Sequence, residues 1–180
     1  MRLFFLLLQE QNRPCAYALG FRFKHVASIH KTENGITCSV KPVLVNESHP
    51  FYQIEDVQNA ASIDRDIVGN ISLQGPGAGM FPTASAIIED LVHINTMEIK
   101  RAHLANKASP DDQAVLSYWA IGGGVYASTL PTPIQVIERI HPNVLIVQAP
   151  EETIYAVHFP NVHIYQILGK VVKKEVLVIQ

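Results

Sequence analysis

Cysteine, tryptophan and charge are all scarce in this chain. Cys15 and Cys38 are the only two cysteines among 180 residues, too few to build a disulfide scaffold or to complete a zinc site. Charged residues make up 17%, with seven cations against nine anions in residues 1–95 and seven of each in 96–180. Neither half has the basic excess of a nucleic-acid binder. Long apolar runs are missing too: Leu3 to Leu8 spans six residues, short of the roughly 7–15 of a signal-peptide core and the roughly 20 of a membrane span. Ala16-Tyr17-Ala18 has the form of a signal cleavage site, but the reading these shortages favour is a reduced, cytoplasmic chain. What is abundant is core material: 48% of residues are hydrophobic, a globular balance rather than a disordered one.

The periodicity predicts an α+β protein in two parts. Arg22 to Ile29 and Ile36 to Val45 flank Asn34-Gly35, a hairpin turn signal, and read as antiparallel strands with one wet face. Val57 to Ile63 and Ile67 to Leu73 form a second pair around Asp64-Arg65-Asp66, completing a four-stranded, mostly antiparallel sheet. A helix follows, capped by Thr83, with Ala84, Ile87, Ile88, Leu91 and Val92 as its buried stripe. The first part therefore runs over residues 1–95, and the polar stretch 96–112 is a linker.

For residues 113–180 the spacing predicts strand 114–121, helix 133–140, strand 144–148, strand 153–159, helix 162–168 and strand 175–179. That βαββαβ order is the order of a ferredoxin-like sandwich, with Thr132-Pro133 and Asn161 as helix starts.

The most specific string is Leu73-Gln74-Gly75-Pro76-Gly77-Ala78-Gly79-Met80-Phe81-Pro82-Thr83-Ala84-Ser85-Ala86. Glycines between a strand end and a helix start let backbone approach a ligand, and free N–H groups there favour an anion. A tight strand-to-helix turn needs no more than the same glycines, so both meanings stay open on the residues alone. The dinucleotide fingerprint G-x-G-x-x-G fails at Met80 and occurs nowhere else in the chain.

Over Tyr17 to about Ile94 the chain resembles the later part of the catalytic domain of homoserine dehydrogenase. The matching features are Ala18-Leu19-Gly20-Phe21, Glu33-Asn34-Gly35-Ile36, His49-Pro50, Asn59-Ala60, Val68-Gly69, Gly75-x-Gly77-Ala78-Gly79 and Pro82-Thr83-Ala84-Ser85-Ala86. The resemblance implies that Gly75, Gly77, Ala78 and Gly79 derive from a cofactor-side loop that lies beside NAD or NADP. It also implies that residues 21–73 make a homodimer, that the following helix packs on the cofactor domain, and that an amino-acid-sensing ACT domain comes next. Such a domain would take an effector of the threonine, isoleucine or methionine pathways, here at Gly122, Gly123, Gly124 and Ser128.

The departures bear on activity. The family's Rossmann domain and its catalytic acid and lysine have no counterpart in these residues, so no catalytic residue is assigned and no cofactor is expected to bind the chain alone. Pro76 replaces a residue commonly arginine and removes one N–H. The ACT-type Asp-x-Pro-Gly turn is replaced by Gly122-Gly123-Gly124, which serves equally as a flexible loop. The eight histidines include His25 and His30, expected on opposite strand faces, and His158 and His163, without Cys or carboxylate partners at metal spacing; no metal is expected. Three functions stay open: part of a complemented homoserine dehydrogenase, an amino-acid-sensing regulatory fragment, and a folded non-catalytic remnant.

Overall fold

A computed structural model of the protein describes residues 14–32, 35–65, 67–96, 116–157 and 162–171. Two compact units are formed, residues 1–49 with 107–180, and residues 50–106. The segments expected to be separate domains, 1–95 and 113–180, thus contribute strands to one sheet.

In the first unit the helical residues 14–18 (α1) end at Gly20 and Phe21, whose N–H groups bond back to the Tyr17 and Ala16 carbonyls at 3.0 and 2.8 Å. Strand β1 (Arg22–Thr32) pairs antiparallel along its whole length with β2 (Gly35–Val45), as the sequence suggests. The turn residue Asn34 lies outside the described residues. The C-terminal part adds β5 (Leu116–Gly122), β6 (Gln135–His141), β7 (Val144–Pro150), a short helix α3 (Glu151–Ala156) and β8 (His163–Leu168). Together they make a six-stranded sheet in the order β1-β2-β8-β5-β7-β6. Every pairing is antiparallel except β2 with β8.

Successive residues of this sheet enter two cores, one per face. Trp119, Ile121, Leu145, Val147 and Ala149 gather with Val125 and Ile154 on one side. Ala120, Ile146, Leu44 and Ile167 gather with Ala16 and Phe21 on the other. The Trp119 indole N–H, fully buried, donates to the Ala149 carbonyl at 3.0 Å, which removes the cost of an unpaired donor.

The second unit carries a 3-10 turn at Pro50–Gln53, a two-stranded sheet of β3 (Gln58–Arg65) and β4 (Gly69–Pro76), and helix α2 (Met80–Thr96). The four-stranded sheet expected over residues 21–73 is therefore two hairpins in two sheets. The α2 stripe expected to be buried is not covered among the described residues: Ile87, Ile88, Leu91 and Val92 are all more than half exposed.

Three C-terminal assignments are corrected. Most of 133–140 is strand β6, most of 162–168 is strand β8, and residues 153–156 of the strand expected at 153–159 are in helix α3, with 158 and 159 outside the described residues. The expected βαββαβ sandwich thus has a 3-10 turn, Ala127–Thr129, in place of its first helix. The strand expected at 175–179 lies outside the described residues. Two-sided burial explains the misreading. Register shifts in β6 fall between Val136 and Glu138 and between Arg139 and His141, and each shift breaks the period of two. Val136 thereby serves one core while Ile137 and Ile140 serve the other, a spacing that mimics a helix. In β8, Ile164 faces one core and Tyr165 and Ile167 the other, giving the near-continuous apolar run of a doubly buried strand. Conversely α3 turns in one buried residue, Ile154, too few to print a periodicity. Its start is marked by Pro150 and by Glu151 and Glu152 in the first turn, where the helix dipole favours carboxylates.

The Tyr155 ring stands edge-on to Trp119, with centroids 5.7 Å apart. Withdrawal from water, and secondarily the Glu151 carboxylate, raise the Tyr155 phenol above its ordinary value of 10.0. The fold favours the neutral phenol, so this contribution to stability is present below the unfolded value and fades as pH climbs through the folded one. It is small, since the residue is 60% exposed. In the alkaline absorbance difference between the protein and its Tyr155→Phe variant, Glu151→Gln should shift the transition to lower pH; an unmoved transition would rule out the carboxylate's share.

Candidate functional site

The glycine string occupies the turn from β4 into α2. Gly75 and Pro76 close β4, pairing with Asn59 and Gln58. The next amide, Gly77 N–H, donates to the Val57 carbonyl at 2.9 Å, so the turn is stitched to the start of β3. A Cβ on Gly77 would fall on the side chain of Asn59. Gly79 has φ +122°, a left-handed value that L side chains resist, and its carbonyl accepts the Thr83 N–H at 3.2 Å. The helix therefore begins at Met80, and Thr83 lies inside its first turn instead of capping it.

This geometry brings Gly75, Gly77, Ala78 and Gly79 together and limits what they can hold. A helix start presents up to four N–H groups without intrahelical partners, but Pro82 has none to give, Pro76 has none before it, and Gly77 has spent its own on Val57. An anion here would meet a shortened row of donors, with no Lys or Arg in the string. Asn59 is the site residue that sequence reasoning did not single out as a neighbour of Gly77; its signal is the register, which sets Asn59 opposite Gly75.

Gly122, Gly123 and Gly124 lie in the other unit. The N–H groups of Gly123 and Gly124 converge on the Asn143 carbonyl at 3.1 and 3.5 Å. Arg139 braces the same corner, donating from Nη1 to the Pro142 carbonyl at 2.6 Å and from Nη2 to the Val125 carbonyl at 3.3 Å. Ser128 sits exposed within the 3-10 turn. The helix start expected at Thr132-Pro133 does not exist, since that stretch enters β6. His25 and His30 fall on opposite faces of β1, while His158 lies outside the described residues. Among the described residues no three His, Cys, Asp or Glu side chains gather around a common point, and no helix is long and apolar enough to cross a membrane.

One unit joins a hairpin to a helix through a glycine turn, and the other is a mostly antiparallel sheet, so the chain is of the α+β class. The family model that matches it is homoserine dehydrogenase, over residues 6–92, and that segment belongs to the homoserine dehydrogenase family. The chain is 33% identical over 138 residues to the homoserine dehydrogenase of Pseudomonas aeruginosa, covering 72% of this chain and 30% of that protein. It is 38% identical over 97 residues to that of Neisseria gonorrhoeae, covering 53% and 22%. A solved homoserine dehydrogenase from Thiobacillus denitrificans shares its fold over 89% of this chain and 45% of that one, with a TM-score of 0.67 at 22% identity. The chain therefore spans less than half the length of each of these proteins.

The two glycines separate cleanly by substitution. Gly77→Ala should cost about 1–3 kcal/mol, the usual range for forcing atoms into occupied space. Gly75→Ala, with nothing within 4 Å of the added carbon, should cost under about 1 kcal/mol. Equal losses in denaturant unfolding would contradict the close approach of Asn59.

Proposed function

We propose that this chain is the glycine-turn and sheet-forming part of a homoserine dehydrogenase, and that it does not transfer hydride by itself. The observation that carries the reading is the Gly75–Gly79 turn at the head of α2, inside the segment that belongs to the family. In a complete enzyme that interconverts aspartate semialdehyde and homoserine, this turn would line the side of the NAD or NADP pocket. Hydride transfer needs a cofactor oriented against the substrate, and these residues contain neither the dinucleotide fingerprint nor the family's catalytic lysine. Supplied as 180 residues, the chain should give no homoserine-dependent reduction of NAD or NADP. A turnover within the ordinary range of about 1–1000 per second would overturn this. Recovery of activity on mixing with a separately made dinucleotide-binding segment would favour the complemented-enzyme form of the same proposal.

The reading includes a homodimer formed through the β1–β2 hairpin. On one face of it Ala27, Ile29, Ile36, Cys38 and Val40 are exposed, Ile29 and Val40 each by 74%. The same face continues inward to Phe23 and Leu44 of the second core, so an apolar layer built for packing runs out into water. Light scattering at micromolar concentration should return a dimer, and Val40→Asp a monomer; a monomeric parent chain removes this part of the proposal. An amino-acid effector at Gly122–Ser128 would have to displace Asn143 from the Gly123 and Gly124 N–H groups. The reading advanced here therefore gives the C-terminal segment a structural role.

A further inference from the structure

The β1–β2 hairpin joins the rest of its sheet through a short seam. It is paired internally over eleven residues per strand, yet β2 meets β8 only at Val43, Leu44 and Val45, opposite Gln166, Ile167 and Leu168. Parallel pairing is also the slightly weaker kind per residue. A polar lock stands at each end of the seam. At one end the Lys41 ammonium donates to Glu151 Oε2 at 2.6 Å and lies 5.6 Å from the Trp119 ring centre.

At the other end the Asn46 N–H donates to the Leu168 carbonyl at 3.3 Å, and Asn46 Nδ2 to the Lys170 carbonyl at 2.8 Å. The Lys170 N–H donates to Ser48 Oγ at 2.6 Å, which donates in turn to Asn46 Oδ1 at 2.7 Å. Between the two carbonyls Gly169 takes φ +111°, and a Cβ there would collide with the Asn46 side chain and come within 2.8 Å of Ser48 Oγ. Only glycine lets the strands approach this closely.

We propose that the hairpin is a conformational unit that opens from β8 as a whole, held shut by these two locks. The locking groups Glu151 and Gly169–Lys170 come from the C-terminal segment, so that segment sets the order of a strand pair built from residues 22–45. Opening breaks the seam, both locks and the Phe23–Tyr165 edge contact at 4.8 Å, and uncovers Val43, Leu44 and Val45, each at most 5% exposed when closed. The open state is therefore minor. Once detached, a two-stranded ribbon is marginal in water, so its amides exchange together through one opening step.

Native-state hydrogen exchange on the 180-residue chain tests this. Amides of residues 22–32 and 36–45 should share one opening equilibrium and exchange faster than those of β5 and β7. Ser48→Ala and Glu151→Gln, both at exposed positions, should each speed the hairpin about two- to fivefold while leaving β5 and β7 unchanged. Lys41→Gln, which also removes the cation beside Trp119, should speed the hairpin at least as much, and adding Glu151→Gln to it should bring no further increase, because the ion pair is already gone. Hairpin exchange at the rate of β5 and β7, or variants that speed every strand alike or none, would overturn the proposal.

Discussion

The parallel pairing of Val43, Leu44 and Val45 with Gln166, Ile167 and Leu168 is the constraint on which the first unit depends. It brings together two stretches more than a hundred residues apart in sequence, and the loop-closure entropy of that join must be offset by what it buries. Val43 and Val45 are almost wholly removed from water, and Leu44 and Ile167 enter the same core as Ala120 and Ile146. Without this join, β8 would offer an open edge beside β5, and the hairpin would lose the support that a lone ribbon needs. The polar groups at its ends act on an interface whose free energy is hydrophobic.

The join also ties the C-terminal segment to the hairpin. Both cores draw on β5, β7 and β8; the first is made wholly of C-terminal residues, and the second also takes Ala16, Phe21 and Leu44 from before residue 50. The Trp119 indole illustrates the mixture: its N–H bonds within the C-terminal strands, while the cation above its ring comes from β2.

The glycine turn shows a different economy. Gly77 is small because Asn59 occupies the space, and Gly79 is glycine because the chain turns left-handed before the helix. Both are explained by the turn's own geometry, and its two prolines leave few amide donors at the helix start.

Local chemistry was written in the sequence where it acts locally. The two hairpins, the glycine turn and helix α2 could be read from turn residues, alternation and the amphipathic stripe, because each forms from contacts a few residues apart. The family resemblance rested on the same stretches. What the sequence could not disclose was which hairpin joined which sheet, or that residues 133–140 and 162–168 are strands. Their apolar residues serve two cores on opposite faces, and register shifts in β6 erase the period of two that would have betrayed it. Only the tertiary structure supplies the second face, so only it could tell a doubly buried strand from a helix.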